Sequence, residues 1–234
     1  MARALGDNAP MADWVTISSL ATAGGTLVLA AATFGATRSA NRSARLAELA
    51  LQERRRPVLV NSRDDDRAQT VSWPDRPPIS LPGGGVAVEF DDDAVHLAIS
   101  LRNVGAGLAV LQGWYARAEV ARSTQPPAAP EDFRWVVRDQ YVASGDVGFW
   151  QGALRDPSDP LHSAIGRAAA ERRRFTVDIL YTDHVGGQRT ITRFGVLPAD
   201  GGRWMSTAAL HWYLDAPAPR ERPDLDGAQT SQPK

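Results

Sequence analysis

The sequence predicts a mainly β protein: an N-terminal transmembrane helix and helical stalk, then an antiparallel, immunoglobulin-like β-sandwich with one short helix insert. Three observations carry this. Trp14 to Thr37 is a run of twenty-four residues without a charged side chain. Residues 38 to 56 hold neither Pro nor Gly and are dense in Ala, Leu, Arg and Glu, all good helix formers. From Pro57 onward the apolar period changes to two, punctuated by Gly- and Pro-rich clusters.

At a rise of about 1.5 Å per residue, the uncharged run reaches roughly 36 Å as a helix, enough to cross a hydrocarbon core of about 30 Å with some tilt. Thr16, Ser18, Ser19, Thr22, Thr26 and Thr33 dilute its Leu, Val and Ala. Hydroxyls are tolerated in a bilayer because they can bond back to the helix backbone. Trp14 suits the interfacial aromatic belt at one edge. Only Arg3, Asp7 and Asp13 precede the run, whereas Arg38, Arg42, Arg45, Arg54, Arg55 and Arg56 follow it. By the positive-inside rule the carboxyl side stays in the cytoplasm. A cleaved signal peptide, with Leu27 to Ala32 as its apolar core, needs its positive charge before that core and not after it. A buried hydrophobic helix of a soluble protein is the other competing reading.

The expected organisation is an N-terminal segment over 1–13, the transmembrane helix over 14–37, the stalk over 38–56, the β-domain over 57–215 and a disordered tail over 216–234. In the stalk, Leu46, Leu49, Ala50 and Glu53 lie at three- and four-residue spacings. Together with small residues at Ala21 and Gly25, and at Ala31 and Gly35, they leave open a homodimer through the membrane helix and stalk. Sustained heptads are missing, which favours a solvated spacer.

Pro57 ends the stalk, because it lacks an amide proton and disfavours the α region at Arg56. Val58 and Val60 open the period-two pattern, followed by Val86, Val88 and Phe90, and then by Val95, Leu97, Ile99 and Leu101 as a half-buried strand. Leu108 to Val120 forms another strand. Phe133, Trp135, Val137 and Tyr141 share one face of the next, and the pattern resumes at Phe175 to Tyr181 and Trp204 to Leu214. Residues 64–84 read as a polar, Pro-containing loop. Asp159 to Arg174 reads as the insert, in which Asp159 caps a helix that takes Pro160 at its first position and runs through Leu161, Ile165 and Ala168 to Ala169.

Composition limits the chemistry. The 234 residues include no cysteine, so a disulfide framework, a thiolate metal site and a cysteine nucleophile are excluded. A net charge of −1 gives no global footprint for nucleic acid. His96, His162, His184 and His211 fall in separate elements without metal-ligand spacing, so no metal and no cofactor is expected. The acidic triplets at 64–66 and 91–93 lack the spaced ligands of a calcium loop and read as solvated turns.

One stretch invites a binding role. Phe149 and Trp150 are adjacent in an expected strand, so their rings face opposite sides and one can be exposed. With Trp114, Tyr115, Asp183 and His184 they make a candidate interaction patch, aromatic with a polar rim. The competing reading is that the insert helix or the second sheet covers the outer ring.

The order of membrane segment, arginine-rich stalk, Arg-Pro-Val-Leu-Val at 56–60, Leu-Arg-Asn-Val-Gly-Ala-Gly at 101–107, Gly-Asp-Val-Gly-Phe-Trp-Gln-Gly at 145–152 and Gly-Gly-Gln-Arg-Thr-Ile-Thr-Arg-Phe at 186–194 resembles a family of uncharacterised actinobacterial single-pass membrane proteins with a C-terminal β-sandwich. The resemblance implies that architecture and supplies no catalytic residue. The functional expectation is a membrane-anchored, cytoplasmic-facing module, in contact with the lipid bilayer, that scaffolds or binds a protein partner, with no nucleic acid. The alternatives are an extracytoplasmic envelope glycan-binding sandwich and, last, a hydrolase-like enzyme using dispersed residues such as Asp183 and His184.

Overall fold

The computed structural model describes residues 10–91, 93–122 and 125–215, with side chains from Ile17 onward except at position 52. The expected tail at 216–234, most of the segment at 1–13 and the Trp14 side chain lie outside the described residues. The chain forms two compact units, Met1–Glu53 and Arg54–Lys234.

The first unit is helical. Helix α1 (Pro10–Arg54) runs 45 residues without a break, joining the expected membrane span and stalk. Its Ile17–Leu51 portion is long and apolar enough to cross a membrane. Leu20, Leu27, Val28, Leu29 and Phe34 along it are all exposed. The hydroxyls of Thr22, Thr26, Thr33 and Thr37 each donate to the carbonyl four residues earlier at 2.8 Å. Their polar cost is thereby met within the helix. The helix stops before Pro57, which cannot continue it.

The second unit is antiparallel β with one helix. Its strands are β1 (Leu59–Asn61), β2 (Gln69–Val71), β3 (Ile79–Leu81), β4 (Gly85–Phe90), β5 (Val95–Asn103), β6 (Ala109–Arg117), β7 (Arg134–Val142), β8 (Val147–Leu154), β9 (Phe175–Thr182), β10 (Thr190–Pro198) and β11 (Trp204–Tyr213). Helix α2 (Pro160–Ala170) lies between β8 and β9. Nine strands form one sheet in the order β1-β5-β4-β11-β10-β9-β6-β7, with β8 on the other edge of β5. β1 pairs with residues 101–103 of β5 and β4 with residues 95–99, so both share one edge while β8 takes the opposite one. β7 and β8 are neighbours in sequence yet lie at the two ends of this path. The turn at 143–146 therefore brings the ends of the sheet together around a common core. Trp150, Phe175, Phe194, Leu97, Ile99, Leu101 and Leu111 fill it.

Several elements depart from the sequence reading for identifiable reasons. The loop expected at 64–84 contains the β2–β3 hairpin, which packs Val71, Trp73 and Leu81 onto Ala98. That cover buries both faces of β5, which is not the half-buried strand that its alternation implied. In β1 the core residue is Leu59, with Val58 and Val60 half-buried, because the Leu59 N–H is tied to the buried Tyr181 hydroxyl at 3.1 Å. Burial pushes that phenol up to about 12. Strand β10 has no plain apolar alternation, since Thr190, Thr192 and Arg193 are among its buried residues. Arg193 is matched there by fully buried Asp178, to which it donates at 2.7 and 2.9 Å, and Arg117 donates to the same carboxylate at 2.8 Å. A buried charge needs such partners.

Two further features brace the domain. Asn103, completely buried, accepts from the Val58 and Gly105 N–H groups and donates to the Gly107 and Val142 carbonyls. A Cβ on Gly107 would lie 1.8 Å from the Arg55 carbonyl oxygen, so the Gly-Ala-Gly turn exists to let the entering chain pass close by. The entry to the β-domain and the end of its last strand are clasped by Arg56, which donates to both oxygens of Asp215 at 2.9 and 2.6 Å and stacks 4.4 Å from the Tyr213 ring centroid.

Helix α2 starts as expected, with the Asp159 carboxylate accepting from the Leu161 N–H at 2.9 Å and Pro160 in the first turn. It ends at Ala170, one residue past the expected Ala169, and buries Ile165 and Ala169 in the common core.

Candidate binding cleft between strands β7 and β8

The structure scatters the six residues of the sequence-derived patch. Phe149 and Trp150 do face opposite sides. Trp150 is wholly buried and meets Trp114 edge-on, ring centroids 5.3 Å apart. Phe149 is half-buried and packs with Val71, Trp73 and Leu81 of the β2–β3 hairpin region. Tyr115 packs in a separate cluster against Phe133, with Arg117 4.6 Å above its ring. Asp183 organises the β9–β10 turn, accepting from the Gly187 and Gln188 N–H groups at 2.8 and 3.1 Å. His184 is exposed on that turn. Trp114 and Trp150 are the pair brought into ring contact.

The remaining candidate chemistry is structural. Asp66 pairs with Arg102, and the Asp91 carboxylate accepts from the Asp93 and Ala94 N–H groups, so both acidic stretches supply turn-forming residues. His96 is buried 3.1 Å from the Asp75 carboxylate and edge-on to Trp73. Among the described residues no group of three His, Asp or Glu side chains is placed to hold a metal ion.

What the fold does create is a seam. At the turn end a side chain links the β7 and β8 edges, the Gln151 N–H donating to the Gln140 side-chain oxygen at 3.4 Å, while Gln151 Nε2 donates to the Ser72 carbonyl, just after β2, at 3.1 Å. Beyond Gln140, β7 bulges. Opposite it β6 advances only from Leu111 to Gly113, while β7 runs from Gln140 back to Trp135, so residues 136–139 arch away from the ladder. The strand expected to present Trp135, Val137 and Tyr141 inward instead exposes all three, Val137 completely. Phe133, just before the bulge, stays buried.

The space between the bulge and β8 is a cleft of about 630 Å³. Trp114 and Gly152 line it, and a Cβ on Gly152 would sit 2.7 Å from the Trp150 ring and 2.9 Å from that of Trp114. Glycine is therefore required for the two indoles to pack. Trp73, Trp135, Arg134, Arg138 and Arg155 complete the walls, and no carboxylate is among the lining residues. Arg134 lies 5.7 Å from the Trp114 ring centroid and is paired with Asp159. Arg155 donates to Asp75 at 2.7 and 3.2 Å and, with the His96 hydrogen bond, holds that carboxyl well below the usual carboxylate range. Arg138 has no such partner among the described residues. The Trp73 indole N–H and the Gln151 side-chain oxygen are buried with no hydrogen-bond partner among the described residues.

Sequence reasoning reached Trp114 in this cleft and missed the rest. Trp73 stood in a stretch read as loop, and Trp135 stood on the face read as buried. The detectable signal was the local density of Arg and Trp in Arg134-Trp135 and Arg138.

No family description matches the chain, and no curated protein does. Among solved structures, one of a protein called ApaA from Bordetella pertussis is similar over 65% of this chain and 97% of its own, at 12% identity and a TM-score of 0.18. A likeness at that score does not establish a shared fold.

Proposed function

We propose that this chain is a membrane-anchored protein-interaction module whose β-domain faces the cytoplasm and docks a protein partner at the β7–β8 cleft. The observation that carries the docking site is the exposed trio Trp135, Val137 and Tyr141 on an end strand beside an open cleft. Large apolar side chains grouped on a surface favour an interface, and Trp, Tyr and Arg are the residue types that dominate binding energy there. The anchor reading is supported by an uninterrupted apolar helix whose hydroxyls are internally satisfied. The arginines on its carboxyl side support the cytoplasmic orientation.

Site-specific photo-crosslinking in native membranes tests the docking site. A crosslinker at Val137 is expected to trap a discrete protein adduct that is lost in a Trp135→Asp background. The same group at Ala209, exposed on β11, gives none. Equal adducts from both positions, or none from Val137, would contradict the proposal.

A further inference from the structure

The seam is the place where the strand path ends on both sides, and its free edge has a definable polarity. The Gln151 N–H points away from β5, towards Gln140. In an antiparallel ladder a residue's N–H and C=O point the same way, and the next residue of that kind is two positions on. Ala153 therefore also turns its backbone N–H and C=O outward, into the part of the seam that opens as the cleft. Among the described residues no strand pairs with β8 on that side.

Two buried side-chain groups with no hydrogen-bond partner among the described residues line the same cleft. The Trp73 indole is a donor on a residue 5% exposed, and the Gln151 side-chain oxygen is an acceptor. Buried polar groups normally have partners. One donor and one acceptor are what a peptide group would complement with its own C=O and N–H. Charge selects further, since the walls carry three arginines and no carboxylate, and two of the three are already paired with Asp75 and Asp159. Arg138 is the one left to meet an incoming anion.

We infer that the cleft takes an extended, carboxylate-bearing peptide, which adds as a strand to the free edge of β8 and sets an Asp or Glu side chain against Arg138. The inference rests on the preceding reading that the cleft docks a protein. Main-chain bonds to Ala153 supply affinity, and alternate side chains choose between Arg138 and the apolar surface of Trp135 and Val137.

The test uses the full chain in phosphatidylcholine nanodiscs and short random peptides displayed on phage. Selected peptides are expected to alternate apolar residues with Asp or Glu. Synthetic versions should bind roughly tenfold more weakly to Arg138→Glu, the loss of about one charge-assisted hydrogen bond. N-methylation of alternate peptide amides should abolish binding, as should Ala153→Pro, which leaves the β5-facing backbone groups untouched. The N-methyl peptides keep the test decisive if the proline variant fails to fold. Selected peptides without acidic residues, or binding indifferent to N-methylation, would overturn the inference while leaving a docking cleft standing. Selection of no peptide that Trp135→Asp abolishes would instead sink the docking reading itself. Sulfated dextran binding at the cleft as tightly as the peptides would assign it to polyanions and also overturn the proposal.

Discussion

The Gln151 N–H meets the side-chain oxygen of Gln140 at 3.4 Å, so at the seam a backbone donor of β8 is answered by a side chain of β7 and not by its main chain. The contact marks where the two ends of the sheet stop approaching and the cleft begins. Gln140→Ala should expose the Gln151 amide and speed its hydrogen exchange, with a stability loss of no more than about 1 kcal/mol. Amide-resolved exchange measures this. Unchanged protection at Gln151 would mean that another group satisfies it.

Trp150 and Trp135 should behave oppositely. Trp150 is wholly buried against Trp114, and its replacement by alanine is expected to cost about 3–5 kcal/mol in denaturant melts of the β-domain. Trp135 is 60% exposed, and Trp135→Ala should move stability by no more than about 0.5 kcal/mol. A large loss for Trp135→Ala would show that the bulge packs inward and would remove the docking surface.

Gly107 and Gly187 offer a backbone contrast. Gly107→Ala brings its methyl against the Arg55 carbonyl and should destabilise the domain by about 1–3 kcal/mol or more, whereas nothing lies within 4 Å of a Cβ at Gly187. Thermal melts of the two variants compare them directly. Equal melting temperatures would contradict the close passage of the entering chain.

The Arg56–Asp215 clasp predicts an acid-sensitive closure. Arg56 hydrogen-bonds the Asp215 carboxylate and holds its pKa below the ordinary value. A carboxyl whose folded pKa is depressed contributes stability that is fully present above its unfolded value of about 3.9 and is lost as pH falls through the lower, folded one. Asp215→Asn should therefore melt lower than the native chain at neutral pH, and the difference should shrink as the buffer is taken below about pH 4. A difference independent of pH across that window would show that the clasp does not operate through charge.

The mainly β class, the continuous N-terminal helix, the capped insert and most strands were legible in the sequence because period and punctuation are local properties. Asp159 followed by Pro160 announced its helix as plainly as any motif in the chain. What was hidden depended on partners distant in sequence. Arg193 sits in a buried strand because Asp178 lies across from it, and β5 is buried on both faces because Trp73 and Leu81 fold over it. Strand β7 turns Trp135, Val137 and Tyr141 outward and Val142 inward on both sides of the bulge at 136–139, the reverse of the expected face, and no local residue signals that choice. The candidate patch shared the same weakness, since adjacent residues in a strand go to different layers and the patch borrowed from both. The cleft is a product of topology, formed where β7 and β8 end the strand path.

The measurement that bears most directly on an anchored, cytoplasmic-facing module is the topology of the β-domain. The chain contains no cysteine, so Ser163→Cys, on the exposed side of α2, gives one reporter thiol. A membrane-impermeant maleimide applied to intact cells should leave this variant unlabelled and should label it only after lysis. Labelling in intact cells would place the domain outside the membrane and contradict the proposed orientation.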